Sequence, residues 1–438
     1  MLLEFRASNY KSFKEQFTFS MVPAPKQKGL DYSIQTETGG NKKYKSLCSS
    51  VIYGANAAGK TNIIGALDVF KCIILRGNIR NSDTVTGGNA AECILDLIPN
   101  NTLAKKEPVS FFAKFIRKDI LYEYSISLDL GMFMEREYHR SILSETLLVN
   151  EKTVFKRTGL ELEIGTIGAI KEFLLPGFSA NKSAAKTIAQ NSLNNEELFL
   201  TNGFKTIYST KLSSEVLAFF SEDLTIFCNS QFLKTEPMYE KKYLVNPFLN
   251  EAAGEFGINS NRLVYIKDKD GKNPVLVSMF EKNKGGVPAE IFESYGTLRF
   301  INLFPVLSEV FKKGGTLLID EFDTSLHPRA VMNLITIFHN DELNTNHAQL
   351  IFTTQNPMYL NNNLFRRDEI KFVERDDDTK CSVLYPLSDF GTKGTNARKG
   401  KDYMNNYFMD KYGAIRDVDF TPVFEKLMKD QNDSKKTD

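Results

Sequence analysis

The chain has 438 residues, a formal net charge of +1, 42% hydrophobic residues and 25% charged residues. This length predicts two or three domains or lobes, and the composition is ordinary for a globular protein. The near-neutral charge gives no global argument for nucleic-acid binding, so only local basic patches could serve that purpose. The five cysteines lack C-x-x-C spacing, which argues against structural zinc and disulfides. No apolar run approaches the ~18 residues that a membrane span needs, so we expect a cytoplasmic protein with no membrane partner.

The first 22 residues predict two β-strands joined by a turn. Apolar and polar residues alternate from Leu3 to Ala7 and again from Phe17 to Phe19, as they do in half-buried strands. On its pattern alone, the intervening segment 9–13 (NYKSF) is a hairpin turn.

A phosphate-binding loop is predicted at residues 54–61 (GANAAGKT), which fit the pattern G-x-x-x-x-G-K-[ST]. A short apolar strand precedes it at 50–53, and residues 62–75 have apolar residues at helical spacing. In such a loop the glycines let backbone N–H groups turn inward around a phosphate, and the N-terminus of the helix adds a favourable field. We expect Lys60 to contact the outer phosphates of a nucleotide and Thr61 to offer its hydroxyl to Mg²⁺.

The middle of the chain changes pattern twice. Residues 93–148 predict an antiparallel sheet because apolar residues recur at every second position. Residues 150–260 show mixed patterns, and we expect a mainly helical insertion there. The predicted organisation has four segments, namely a first lobe with the phosphate-binding loop at 1–149, the insertion at 150–260, a second lobe at 261–390 and a C-terminal tail at 391–438.

Two continuous apolar runs, 316–319 and 349–353, are typical of central parallel strands. The first run ends in Asp320 and Glu321, so the strand would deliver both acids to the carboxyl edge of the sheet. There Asp320 can hold Mg²⁺ through water, and Glu321 is suited to act as the general base that polarises an attacking water. Because Lys60 and Asp320 lie far apart along the chain, the two lobes must fold onto one sheet.

Four further segments resemble motifs of ABC-type ATPases of the SMC and RecF class. Segment 293–297 (ESYGT) resembles their signature motif, and segment 323–328 (DTSLHP) resembles their D-loop. Segment 353–356 (TTQN) stands where these proteins carry a switch histidine, with Gln355 in that position. Segment 9–13 is similar to the N-terminal motif that contacts nucleotide in the same class. The closest resemblance is to stand-alone prokaryotic OLD-like ATPases of the anti-phage defence type, which lack a Toprim nuclease domain.

This resemblance implies an α/β fold, an ABC-type P-loop ATPase with a mixed sheet, an antiparallel N-terminal lobe and a mainly helical insertion. It also implies that two protomers enclose ATP and Mg²⁺, with Ser294 and Gly296 of one subunit meeting the γ-phosphate held by Lys60 of the other. Glu321 and Gln355 would be catalytic, and hydrolysis would be slow because Gln355 replaces the histidine. The implied nucleotide-binding residues are Lys11, Ser12, Gly54, Asn56, Ala57, Ala58, Gly59, Lys60, Thr61, Asn62, Ser294, Gly296 and Thr297. The implied D-loop residues are Asp323, Ser325 and His327, and the implied metal-binding residues are Thr61 and Asp320.

Two functions follow from the resemblance. The first is an ATP-hydrolysing switch that forms a homodimer or higher oligomer on nucleotide, senses phage infection or DNA state, and controls a separate effector such as a nuclease or toxin. A separate effector is expected because residues 390–438 are too few for a nuclease domain. The alternative is a RecF-like ATPase of DNA repair or recombination that clamps DNA, for which basic clusters at 42–45, 182–186 and 393–401 could contact phosphates.

Overall fold

The computed structural model describes residues 1–25, 27, 29–80, 97–135, 138–175, 182–227, 243–244, 247–258, 262–267, 274–280, 285–390 and 402–434. Its strands are β1 Leu2–Ser8, β2 Phe17–Ser20, β3 Ile34–Gly39, β4 Lys42–Leu47, β5 Ser49–Tyr53, β6 Val109–Arg117, β7 Ile120–Asp129, β8 Ser141–Val149, β9 Lys152–Thr158, β10 Glu161–Ile164, β11 Leu224–Phe227, β12 Tyr243–Leu244, β13 Arg262–Lys267, β14 Pro274–Phe280, β15 Gly285–Pro288, β16 Thr316–Ile319, β17 Gln349–Thr353, β18 Ile370–Arg375 and β19 Ser382–Pro386. Its α-helices are α1 Lys60–Arg76, α2 Lys182–Asn191, α3 Lys205–Ile207, α4 Thr210–Ala218, α5 Pro247–Glu255, α6 Ala289–Phe292, α7 Tyr295–Lys313, α8 Pro328–His339, α9 Tyr403–Phe408 and α10 Thr421–Ser434.

A six-stranded sheet positions the candidate site. Its strand order is β11-β16-β17-β5-β18-β19. Neighbouring strands from β11 to β18 are parallel, and β19 pairs antiparallel with β18. The predicted α/β class with a mixed sheet is therefore confirmed. The two apolar runs form β16 and β17, which are buried along their whole length, as expected of parallel strands covered on both faces.

A seven-stranded antiparallel sheet forms the second layer, in the order β10-β9-β8-β7-β6-β1-β2. The predicted strands of the first 22 residues are β1 and β2, and they pair antiparallel. The predicted period-two region supplies β6, β7 and β8. Smaller antiparallel sheets are formed by β12-β13-β14-β15 and by β3-β4.

Helix α1 lies between the two large sheets. Alternate residues of the six-stranded sheet, such as Ile52 and Ile351, belong to a core shared with α1 and the antiparallel sheet. The intervening residues, such as Val51, belong to a second core with α7 and α8. This alternation follows from the two-residue period of a strand. On α1, Phe70 stacks against Phe111 of the antiparallel sheet with ring centroids 5.6 Å apart.

The region 150–260 contains helices α2 to α5, as expected, together with strands that join both large sheets. Strands β9 and β10 continue the antiparallel sheet, and β11 joins the six-stranded sheet beside β16. The predicted boundary at 149/150 falls inside the hairpin of β8 and β9. The strand pattern of β9 is concealed because Arg157 is fully buried, where its guanidinium donates to the carbonyls of Gly159 and Glu197 at 2.8 and 2.6 Å. A charged residue at a buried position breaks the apolar alternation by which a half-buried strand is recognised in a sequence.

The C-terminal segment returns to the six-stranded sheet. Tyr407 and Tyr412 stack on Phe372 of β18, with ring centroids 5.9 and 5.6 Å away. Beyond them, the carbonyl of Ala414 accepts a hydrogen bond of 3.0 Å from the N–H of Ala55 in the phosphate-binding loop. The segment after α9 therefore supports the phosphate-binding loop.

Candidate nucleotide-binding site

The carboxyl ends of three parallel strands bring the predicted motifs together. The phosphate-binding loop follows β5, the acids Asp320 and Glu321 follow β16, and Gln355 follows β17. Because β17 lies between β16 and β5, all three motifs meet at one edge of the sheet. This is the edge at which open α/β sheets bind ligands.

The loop itself needs its glycines. A Cβ at Gly54 would overlap the carbonyl oxygen of Val373, and a Cβ at Gly59 would lie 2.7 Å from the Ser12 hydroxyl. Gly59 also has a φ of 113°, and Ala57 has a φ of 61°. These left-handed conformations turn successive backbone N–H groups toward the same side, which is the geometry of an anion-binding nest.

Lys60 begins α1 and is only 7% exposed. Its ammonium donates hydrogen bonds to the carbonyls of Gly54 at 2.7 Å and Ala55 at 3.0 Å. Burial lowers the pKa of Lys60, while the nearby charges of Asp320 and Glu321 act in the opposite direction. The side chain therefore lies across the loop.

Thr61 and Asp320 form the candidate metal-binding pair. The Thr61 hydroxyl donates to Asp320 Oδ2 at 2.8 Å, and the Thr353 hydroxyl donates to Asp320 Oδ1 at 2.6 Å. Asp320 is 8% exposed. A hydroxyl and a carboxylate at the phosphate end of the loop are hard oxygen ligands of the kind that Mg²⁺ uses beside nucleotide phosphates. The residues present therefore fit a nucleotide-bound Mg²⁺.

Glu321 is held by several bonds in an unfavourable backbone conformation. Its φ is 49°, which is uncommon for a residue with a side chain and is often found at functional sites. The Glu321 N–H donates to the Thr353 hydroxyl at 2.7 Å, and its carbonyl accepts from Arg299 at 2.6 Å. Gln355 Nε2 lies 3.5 Å from Glu321 Oε1. The carboxylate and this amide line an open cleft of about 290 Å³ together with Asp323, Thr324 and Asn356.

The N-terminal motif lies against the start of α1. The Asn62 amide donates to the Ser12 hydroxyl at 2.8 Å. Ser12 is in turn fixed by the β18–β19 hairpin, because the Ser382 N–H donates to the Ser12 carbonyl at 2.7 Å. The Ser382 hydroxyl also donates to the carbonyl of Ala58 at 2.6 Å. The structure thus places Ser12 next to the loop, and Lys11 beside it has a φ of 47°.

The signature and D-loop segments contact each other within one chain. Ser294 caps α7 and accepts a hydrogen bond of 3.2 Å from the Thr297 N–H. A Cβ at Gly296 would overlap the carbonyl of Ser325 in the D-loop, so the D-loop packs directly on the signature. His327 caps α8, with its Nδ1 accepting from the Arg329 N–H at 3.2 Å.

Burial raises the pKa of Asp323, and a hydrogen bond with Thr354 opposes that shift.

An exposed apolar surface surrounds the signature. Ile291 is 77% exposed, Phe292 is 51% exposed and Tyr295 is 56% exposed. The contacts of Ser294, Gly296 and Thr297 described above are with their own helix and the D-loop. The predicted contact of these three residues with the phosphate-binding loop of a second subunit stays a prediction.

Sequence reasoning missed two residues that hold the site together. Thr353 bridges Asp320 and Glu321, and its polar side chain at the end of a buried apolar strand is a signal that could have identified it. Ser382 connects the Ser12 segment to the phosphate-binding loop. It is remote from both in sequence, and nothing in its local pattern indicates this role.

Within the described ranges, no helix has the length and apolar character needed to cross a membrane. Among the same residues, no group of three or more His, Cys, Asp or Glu side chains is arranged to hold a metal ion.

Two solved structures are similar at 12% identity. One is an SMC head domain from Thermotoga maritima, with a TM-score of 0.38 over 88% of this chain and 98% of that chain. The other is an SmcHead bound to the C-winged helix domain of ScpA, with a TM-score of 0.37 over 88% of this chain and 97% of that chain. No curated protein matches the chain.

The sequence pattern of a family described as "AAA domain, putative AbiEii toxin, Type IV TA system" matches residues 49–361. The matched range begins with β5 and includes the phosphate-binding loop, the signature, Asp320, Glu321 and Gln355. It covers most of the chain, so this protein belongs to the AAA-domain family of the putative AbiEii toxin and type IV toxin–antitoxin systems.

Proposed function

We propose that the protein binds ATP with Mg²⁺ and hydrolyses it, and that two copies close over the nucleotide as a switch. The observation that carries this proposal is a continuous chain of hydrogen bonds. It runs from the Thr61 hydroxyl through Asp320 and the Thr353 hydroxyl to the backbone of Glu321. This chain fixes the metal-binding pair and the candidate general base relative to each other.

Each residue has a separate task in this proposal. The loop N–H groups and Lys60 bind the β- and γ-phosphates, and Thr61 with Asp320 would hold Mg²⁺, whose charge offsets the charge of those phosphates. Glu321 accepts the proton of the attacking water, and Gln355 orients that water by hydrogen bonding. Turnover is expected to be slow because an amide cannot accept a proton as a histidine can.

The dimer is proposed from the surface around the signature. Ser294 lies beside three exposed apolar side chains, those of Ile291, Phe292 and Tyr295. Clustered exposed apolar residues of this kind mark interaction sites. A second copy placed there would bring the Ser294 hydroxyl and the N-terminus of α7 to the γ-phosphate bound by the first copy. ATP would then hold the dimer together until it is hydrolysed.

A role in bacterial defence is proposed at the level of the family. The family description names a putative toxin of a type IV toxin–antitoxin system, and the sequence motifs resemble those of OLD-like anti-phage ATPases. We propose that nucleotide-dependent closure senses phage infection or DNA state and controls a separate effector protein. This part of the proposal rests on analogy of the ATPase core.

The first test measures ATP hydrolysis and particle mass. Glu321→Gln should lower turnover about 10²- to 10⁴-fold, because proton transfer to the base is lost, and should trap a larger ATP-bound assembly. Lys60→Ala should bind no ATP and stay in the smaller form. Surface controls of the same type, Glu342→Gln and Lys43→Ala, should behave as the wild type. Wild-type turnover in both Glu321→Gln and Lys60→Ala would reject the site.

Mixing two inactive variants tests whether the site is shared between subunits. Ser294→Arg and Lys60→Ala should each be inactive alone. In their mixed dimer, one of the two sites combines an intact loop with an intact signature. A mixture should therefore regain up to about a quarter of wild-type turnover. No recovery, with both variants folded, would argue against the two-copy arrangement.

The DNA-clamping alternative makes a different prediction. The lysines at 42–45 and at 182–186 are exposed on β4 and α2, although Lys42 is paired with Glu151. The third basic cluster, at 393–401, lies outside the described residues. Binding to random duplex DNA that weakens steeply with salt would favour this alternative.

A further inference from the structure

A second cleft opens beside the start of α1. Its volume is about 250 Å³, and it extends from Ser12 and Asn62 toward Phe133. Phe133 is 44% exposed, so part of its aromatic ring is accessible to a ligand. Lys11 and Arg375 bring positive charge to the walls, and none of the described residues that line the cleft carries a carboxylate.

Hydrogen bonds tie three walls of this cleft to each other, namely those that carry Lys11, Ile98 and Arg375. The Lys11 N–H donates to the carbonyl of Ile98 at 2.9 Å, and the Asn100 amide donates to the Lys11 carbonyl at 2.7 Å. The hairpin that carries Arg375 is joined to Ser12 through the Ser382 N–H. A cleft whose walls are bonded together is preorganised, which lowers the cost of binding a rigid planar group.

A third cleft lies on the other side of the phosphate-binding loop and provides a comparison. It has a volume of about 350 Å³ and is lined by residues 55–58, by the β18–β19 hairpin and by residues 414–416. Three carboxylates and three cations line it, and none of the described residues in its walls is aromatic. The charges of these carboxylates offset those of Arg375, Lys380 and Arg416. The cleft beside Phe133 differs in having an aromatic ring and, among its described lining residues, cations without carboxylates.

We propose that the nucleobase and ribose of the bound nucleoside triphosphate occupy the cleft beside Phe133. The base stacks on the Phe133 ring, while the apolar side chains of Ile98 and Pro99 line the same cleft. Arg375 and Lys11 lie toward the sugar and phosphates. Because every base has a π-face, stacking contributes affinity for any nucleoside triphosphate. The exposed amide of Asn101 is the group available to read the edge of the base.

This inference rests on the proposed nucleotide binding, and its test separates the two. Binding of ATP and of inorganic tripolyphosphate is measured by calorimetry for the full chain. Phe133→Ala should weaken ATP binding about 10- to 100-fold, as expected from the loss of one aromatic–base stack. It should leave tripolyphosphate binding unchanged. Phe133→Trp should bind ATP at least as well as the wild type, and Phe133→Leu should behave like Phe133→Ala.

A matched control and a second variant make the outcomes distinct. Phe408→Ala removes another exposed ring, 60% exposed on α9, and should leave ATP binding unchanged. Lys60→Ala should lose both ligands. If Lys60→Ala loses both ligands but Phe133→Ala binds ATP as the wild type does, the base lies elsewhere and this inference is overturned. If Lys60→Ala keeps both ligands, the proposed function itself is wrong.

Discussion

The carboxyl and amino ends of the six-stranded sheet carry similar polar residues but differ in their access to solvent. At the carboxyl end, Glu321 and Gln355 line an open cleft. At the amino end, Ser49 and Glu369 are fully buried, and His339 and Lys371 are 2% and 3% exposed. The amino end therefore offers no access to a substrate.

The buried end contains the residue types of a hydrolase. The Ser49 hydroxyl lies 2.8 Å from His339 Nε2 and 2.9 Å from Glu369 Oε1. Glu369 also accepts the Arg366 N–H at 2.7 Å, and Lys371 donates to the Ser50 hydroxyl at 2.7 Å. These groups satisfy one another, as buried polar groups must. The comparison shows that access to solvent, rather than residue type, separates the functional end from the structural end.

The largest expected effect is a loss of stability at the buried end. Glu369→Ala should lower the free energy of unfolding by about 3–5 kcal/mol, because it removes the partner of His339 and leaves buried donors unsatisfied. Glu321→Gln should change this free energy by less than about 1 kcal/mol while abolishing most turnover. Urea denaturation measures the free energy of unfolding of both variants. A Glu369→Ala protein as stable as the wild type would remove the distinction between the two ends.

A smaller effect is expected from Thr353, whose hydroxyl serves both acids at the open end. Thr353→Val keeps the shape of the side chain but removes the bonds to Asp320 Oδ1 and the Glu321 N–H. It should lower turnover about 10-fold, or about 1.4 kcal/mol, and raise the Mg²⁺ concentration needed for half-maximal rate.

Thr353→Ser should restore both values to within about twofold, since it keeps the hydroxyl. Thr336→Val, which removes an exposed hydroxyl bonded to the Met332 carbonyl on α8, is the matched control. Equal turnover in Thr353→Val and Thr353→Ser would show that the hydroxyl does not position the acids.

The smallest effect is a pH dependence at the buried end. Burial lowers the pKa of Lys371 from its ordinary value of 10.5 to about 8, against the opposing charges of Asp368 and Glu369. Between these two pH values the unfolded chain binds more protons than the folded one. The contribution of Lys371 to stability therefore rises with pH, by at most about 1.4 kcal/mol per pH unit.

Unfolding curves at pH 8 and pH 10 should show this rise in the wild type. In Lys371→Met the rise should be smaller by the contribution of that one group. Identical pH dependence in the two proteins would mean that Lys371 titrates as it does in the unfolded chain.

Local patterns predicted the main strands and the loop but could not predict the contacts between distant segments. The G-x-x-x-x-G-K-[ST] pattern located the loop, and continuous apolar runs located β16 and β17, because each signal lies within a few consecutive residues. The bond between Ser382 and Ser12 depends on how the β18–β19 hairpin folds back onto the N-terminal segment, and no local pattern reports that.

Residues 150–164 show a second limit of local sequence patterns, which is a charged residue at a buried position. A buried Arg157 is satisfied by backbone carbonyls that arrive from residues 159 and 197. It interrupts the apolar alternation of β9, and the segment was included in the expected helical insertion although it belongs to a sheet. Charged residues at buried positions are understood only once their partners are known.

The bond between Ala55 and Ala414 has a consequence for the order in which the protein is made. A ribosome completes residues 54–61 early, yet Asp320, Thr353 and Ala414 emerge much later. Roughly 360 residues separate Ala55 from Ala414, which corresponds to about 20–70 s of translation. For most of that interval the loop lacks its acids, and throughout it lacks the bond to Ala414. We therefore expect nucleotide to bind only after Ala414 has emerged.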